Sequence, residues 1–139
     1  MSDDFPIAIY HNPACGTSRN ALAIIEAAGY RPAVVEYLKT GWTRPQLEAL
    51  LAAMAATPAS LLRVKGAPAK ELGLLDPGVP DERILAAMVA HPILVNRPIV
   101  VTPKGTKLCR PSEAVLDLLE RKPASFTKED GEIVIPAKA

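Results

Sequence analysis

The sequence predicts an α/β protein in which a βαβ unit and a ββα unit share one mixed sheet, with a helical insertion between them. Three observations predict it. The apolar run Ile7 to Tyr10 passes through a polar turn into a helical pattern, then into a second run at Ala33-Val34-Val35-Glu36-Tyr37. A later apolar run turns back through Pro103-Lys104-Gly105-Thr106 and leads into a further helical pattern. Between these halves lie three helical pieces that amount to an all-helical insertion.

In order, Met1 to Asp4 reads as a loose polar end. The first helix is expected from about Gly16 to Ala28, with Ala21, Leu22, Ile25 and Ala28 on one face and Gly29 as its stop. Trp42 and Thr43 open the insertion, where Thr43 with Gln46 fits a capping box and Leu47, Leu50, Leu51 and Met54 keep helical spacing. Pro58 suits the start of a short helix containing Leu61, Leu62 and Arg63. Gly66 to Gly73 reads as a loop with a turn of helix. Asp81 to Ala90 is a helix with Ile84, Leu85, Met88 and Val89 inward.

Pro98 follows Arg97 directly before the apolar strand. Such a bond admits the cis isomer, which would set Arg97 at a fixed bend, although trans is the commoner state. Lys107 to Cys109 returns as a strand, and Arg110-Pro111-Ser112-Glu113 starts a helix with Val115, Leu116 and Leu119 inward. In the polar tail, Phe126 and Ile133-Val134 are apolar enough to dock, with Asp130-Gly131 turning between them. The whole is the thioredoxin-like order, one domain over 1–139 with a helical insertion at about 43–91.

Composition sets bounds. The chain has 139 residues, 49% hydrophobic and 22% charged, with net charge +1. That balance gives no global footprint for nucleic acid or membrane, so any positive site is local. No apolar run approaches the roughly 18–20 residues of a membrane span. Two cysteines and no signal-peptide pattern point to a reducing, cytoplasmic setting. Two cysteines with two histidines show no metal-ligand spacing.

The chemistry is organised around His11-Asn12-Pro13-Ala14-Cys15-Gly16-Thr17-Ser18-Arg19. This turn delivers a thiol to a helix N-terminus, where unpaired N–H groups and the helix dipole stabilise anions. A cysteine there ionises more readily. The N–H groups of Gly16, Thr17 and Ser18 can hold an oxyanion beside the sulfur, and Thr17 and Ser18 add hydroxyl donors. Free cysteines are usually inert packing, but Asn, Pro, Gly, Thr and Ser are not core neighbours. Cys15 therefore reads as a nucleophile. His11 reads either as a group that orients or protonates near Cys15, or as a structural hydrogen-bonder. Arg19 reads as a surface or structural residue.

Together with this loop, three further blocks resemble the glutaredoxin-coupled arsenate reductases. They are His91-Pro92-Ile93-Leu94-Val95-Asn96-Arg97-Pro98-Ile99-Val100-Val101-Thr102-Pro103, then Leu108-Cys109-Arg110-Pro111-Ser112-Glu113, then Phe126-Thr127-Lys128-Glu129-Asp130-Gly131. The resemblance implies a cytoplasmic enzyme that reduces arsenate to arsenite with glutathione as co-substrate, glutaredoxin as partner and no bound cofactor. It implies that Cys15 attacks arsenate, that glutathione condenses with the adduct, and that glutaredoxin resolves the protein–glutathione disulfide. The three arginines that bind the oxyanion in that family fall on Arg63, Arg97 and Arg110. The family histidine that helps keep the thiol ionised falls on His11, and the family proline matching Pro98 is cis.

Other readings need other residues. A phosphatase-like cradle requires Arg six positions after the cysteine, where this chain has Ala21. A dithiol oxidoreductase requires a second cysteine where Ser18 stands. Spx-like regulators that bind RNA polymerase commonly carry Cys-x-x-Cys or lack the Cys-Arg-Pro-Ser block. A glutathione-dependent thiol transferase would use the cysteine without the three arginines. On residues alone, Arg63 reads as solvated, whereas Arg97 beside a proline bend and Arg110 beside a helix start are better placed for an anion. Cys109 reads as packing, its neighbour Arg110 leaving an accessory role open.

Overall fold

The structure is a computed structural model and describes residues 5–135. The expected loose end, Met1 to Asp4, lies outside the described residues. The chain forms two compact units, one made of the segment up to Glu36 and the segment from Arg97 onward, the other of Tyr37–Asn96. The second is wider than the insertion read at about 43–91, because it also takes in a short helix before Trp42 and the turn at Pro92–Leu94.

The first unit is built on a four-stranded sheet. Its strands are β1 (Ala8–His11), β2 (Ala33–Glu36), β3 (Ile99–Thr102) and β4 (Gly105–Leu108), in the order β2-β1-β3-β4. β1 runs parallel to β2 with Ile9 opposite Val34, and antiparallel to β3 with Ile9 opposite Val100. β3 and β4 form a hairpin in which Thr102 pairs with Gly105. That pairing shortens the expected turn to Pro103 and Lys104, so β4 starts at Gly105 and Cys109 falls outside it. Gly105 has φ +148°, a backbone conformation that favours glycine.

α1 (Gly16–Ala27) buries Ala21, Ile24 and Ile25 in the core of this unit, while Leu22 and Ala28 pack at its edge. Gly29, at φ +95°, ends it: its N–H donates to Glu26 O and that of Tyr30 to Ile25 O. The segment expected as an α-helix after Pro111 is instead a 3₁₀ helix, Ser112–Leu118. Its three-residue period stacks Ser112, Val115 and Leu118 on one buried face. Leu116 and Leu119 complete the contact with the core.

The tail forms a small hairpin of β5 (Phe126–Thr127) and β6 (Ile133–Val134), in which Phe126 pairs with Val134. Val134 is buried and Phe126 packs against the core, but Ile133 is 63% exposed. Only one residue of the expected Ile133-Val134 pair therefore docks, since neighbours on a strand face opposite ways.

The second unit contains α2 (Tyr37–Thr40), α3 (Arg44–Met54) and α4 (Asp81–Ala90), with 3₁₀ turns at Pro58–Leu61 and Pro92–Leu94. The capping box is present: the Gln46 N–H donates to Thr43 Oγ1 and the Thr43 N–H to Gln46 Oε1. Arg44 bridges α3 to Glu82 of α4. In α4, Ile84, Leu85 and Met88 are buried, but Val89 is exposed, so the apolar stripe ends one residue earlier than expected. Arg63 lies beyond the 3₁₀ turn, in an extended segment bridged through Leu62 and Val95.

Candidate active site

β1 leaves the sheet at His11, and the next residues fold back so that Cys15 becomes the N-cap of α1, with φ −99° and ψ 121°. Asn12 builds this turn. Its carbonyl accepts the Cys15 N–H at 2.9 Å, and its Oδ1 accepts the Ala14 N–H at 3.0 Å. Its own N–H donates to Ser18 Oγ at 3.1 Å. Ser18 is fully buried, and the same hydroxyl lies 2.5 Å from His11 Nδ1. Ser18 thus ties the end of β1 and the turn to the first turn of α1. The sequence reading missed Asn12. An Asn two residues before an N–H that needs a partner is an Asx-turn signal that finds it.

The sulfur sits among positive groups. Cys15 is 9% exposed, and Arg110 Nη1 approaches its Sγ to 3.8 Å while donating to the Arg97 carbonyl at 2.9 Å. Both arginines precede cis prolines, at Arg97-Pro98 and Arg110-Pro111, the second of which the sequence reading did not anticipate. Burial pushes the Cys15 thiol up, but the Ser18 N–H, the Arg97 and Arg110 guanidiniums and the Arg97 charge outweigh it. The net shift is downward from the ordinary thiol value of 9.0. Arg97 itself is buried, at 8% exposure.

His11 is buried, and burial moves its pKa below the ordinary 6.5; Glu36 opposes the shift and Arg19 adds to it. The imidazole is therefore neutral at pH 7. Gly16 and Thr17 are the first two residues of α1, half-buried, with their N–H groups at its open end. A Cβ built on Gly16 would come no closer than 3.7 Å to Arg19 and Glu129, so space alone does not require glycine there. Arg19 has a structural role: its side chain bonds Glu129 and the Pro13 carbonyl.

Arg63 belongs to the helical unit. Its N–H donates to Leu94 O at 2.7 Å, its Nε to Lys65 O at 2.8 Å and its Nη1 to Asn96 Oδ1 at 3.5 Å. The sequence-expected residues that the first unit brings together are therefore Cys15, Gly16, Thr17, Ser18, His11, Arg97 and Arg110, and Arg63 lies in the other unit.

Cys109 is fully buried, and burial pushes its thiol up to about 12. The two thiols should separate cleanly on this basis. In native protein at pH 7, iodoacetamide is expected to label Cys15 alone, with a rate midpoint below that of free cysteine. Peptide mapping after timed alkylation checks both points, and equal labelling of Cys109 would contradict the burial argument.

Among the described residues no group of three His, Cys, Asp or Glu side chains is placed to hold a metal ion, and no helix is long and apolar enough to cross a membrane.

Comparison with known proteins matches this frame. A model of the ArsC family matches residues 10–118. Arsenate reductase ArsI2 of Synechocystis sp. is 64% identical over 130 residues, covering 93% of each chain. The arsenate reductase of Rhizobium meliloti is 58% identical over 132 residues, covering 94% of each. Among solved structures, an arsenate reductase from Vibrio cholerae gives a TM-score of 0.78 at 38% identity, covering 83% of this chain and 98% of that one. The match runs from β1 through the Ser112–Leu118 turn and takes in Cys15, Arg97 and Arg110 together, so the chain belongs to the ArsC family.

Proposed function

We propose that this chain reduces arsenate to arsenite in the cytoplasm, with Cys15 as nucleophile and with glutathione and glutaredoxin supplying electrons from outside the chain. The observation that carries the reading is the guanidinium of Arg110 at 3.8 Å from the Cys15 sulfur, with the buried Arg97 beside it. A thiolate and an anionic substrate repel each other. Two planar, permanently charged forks offset both charges and present donors suited to a tetrahedral oxyanion.

The steps follow from the sulfur. Cys15 attacks arsenic, forming an S–As bond as an arsenate oxygen leaves as water. Glutathione condenses with the adduct through its own thiol, forming a second S–As bond as another arsenate oxygen leaves as water. Two electrons then pass to arsenic as the Cys15 and glutathione sulfurs join, which releases arsenite and leaves a mixed disulfide. Glutaredoxin reduces that disulfide and restores the thiolate. The N–H groups of Gly16 and Thr17 hold substrate oxygens at the open end of α1, while that of Ser18, also read from the sequence as a substrate donor, is engaged by the sulfur. His11 acts through Ser18, whose hydroxyl it bonds and whose N–H faces the sulfur. Arg63 takes its anion-binding role from the family resemblance.

The test is arsenite formation from arsenate by the purified chain. Turnover is expected only with both glutathione and glutaredoxin present. Sustained turnover with neither would overturn the external-electron reading.

A further inference from the structure

Through two consecutive residues the tail hairpin reaches the helix that follows the Cys15 turn and the 3₁₀ helix that follows Arg110. Glu129 grips Arg19, one turn beyond Cys15. Its carboxylate accepts from Arg19 Nε at 2.8 Å and Nη2 at 2.9 Å. The third arm of that guanidinium, Nη1, donates to the Pro13 carbonyl at 2.8 Å, inside the turn that delivers the thiol. The Glu129 N–H donates in addition to Asn20 Oδ1 at 3.1 Å.

Lys128 points the other way. Its Nζ lies 2.7 Å from Glu113 Oε1, in the first turn of the Ser112–Leu118 helix that follows Arg110-Pro111. The Lys128 side chain is only 10% exposed, and Glu132 supports it at 3.2 Å. The observed register pairs opposite charges at both ends. A slip of one residue in one direction would set Lys128 against Arg19, and a slip in the other would set Glu129 against Glu113, like charge on like in each case.

We propose that Lys128 and Glu129 are positioning residues for the reaction: the tail hairpin is a strap that holds the Cys15 turn and the Arg110 turn in register, and so sets the approach of Arg110 to the sulfur. Its kinetic consequence rests on the arsenate-reductase reading; its effect on the thiol does not. The Arg19–Glu129 pair is exposed, and such pairs add little to stability, whereas a small misplacement of a reacting group is costly in rate. The strap therefore shows in the chemistry of Cys15 before it shows in folding.

The test is the double variant Lys128→Gln/Glu129→Gln, which removes one charge of each sign and leaves the net charge unchanged. With its folding checked by circular dichroism, the Cys15 alkylation midpoint is expected to rise by about half a pH unit as the Arg110 contact loosens. The KM for arsenate is expected to rise about three- to tenfold, with a smaller change in kcat. The single variant Glu129→Gln distinguishes geometry from field by sign. Loss of a nearby negative charge alone would lower the midpoint, whereas loss of the strap raises it. If the double variant does not fold, Glu129→Gln and Arg19→Lys carry the test, since lysine keeps the charge but loses the fork. An unchanged midpoint in the folded variants, or a lowered one in Glu129→Gln, overturns the proposal. The midpoint needs no arsenate, so a wild-type chain that reduces none would remove the functional reading and leave the strap standing.

Discussion

Cys15→Ser is expected to abolish arsenite formation, by at least about a thousandfold, without unfolding the protein. Sulfur does two things that oxygen cannot do here. It ionises below the ordinary thiol value beside the Ser18 N–H, Arg97 and Arg110, and it gives up electrons by forming an S–S bond. The fold should gain from the change. Cys15 occupies the N-cap of α1 with no side-chain cap hydrogen bond, and serine is among the best residues for that position. Replacing a poor cap by serine is worth about 1 kcal/mol. Denaturant melts should therefore show the inactive variant equal to or more stable than wild type. Residual turnover above a few per cent would mean that another group starts the reaction.

The second large effect concerns the arginines. Arg97→Ala and Arg110→Ala should each lower kcat/KM for arsenate about ten- to a hundredfold, from the loss of charged hydrogen bonds worth about 1.5–3 kcal/mol each. Lysine at either position should recover only part, because it keeps the charge and loses the planar fork. Removing Arg110 also removes a donor that lies 3.8 Å from the thiol sulfur, so the Cys15 alkylation midpoint should move up in that variant. The sign follows from the folded state. A lowered thiol pKa means that the thiolate is populated below the ordinary value, and losing a positive partner returns the midpoint towards that value. Alkylation measured well above both midpoints should change far less than arsenate turnover. Unchanged turnover in both alanine variants would sink the anion-site reading.

Much of this was legible along the chain because it depends on local signals. The N-cap placement of Cys15, the capping box at Thr43 and Gln46 and the boundaries of α4 all come from residues within a few positions of one another. The 3₁₀ character of Ser112–Leu118 was not legible, because over seven residues periods of 3 and 3.6 turn nearly the same apolar side chains inward. The cis bond before Pro111 has no sequence mark that separates it from the commoner isomer. Ser18 was read as a hydroxyl for substrate, yet its Oγ is occupied by His11 and the Asn12 N–H. Nothing in a linear pattern says which way a first-turn hydroxyl points. The Arg19–Glu129 pair joins residues 110 positions apart, and such pairs leave no local trace.

The most direct measurement of the central idea is a single turnover. Reduced protein is mixed with arsenate and glutathione, without glutaredoxin, and intact mass and peptide mapping follow. The expected product is one glutathione per chain, on Cys15, formed only when arsenate is present and matched by one arsenite released. A disulfide between Cys15 and Cys109, or arsenite released while Cys15 remains a free thiol, would contradict it.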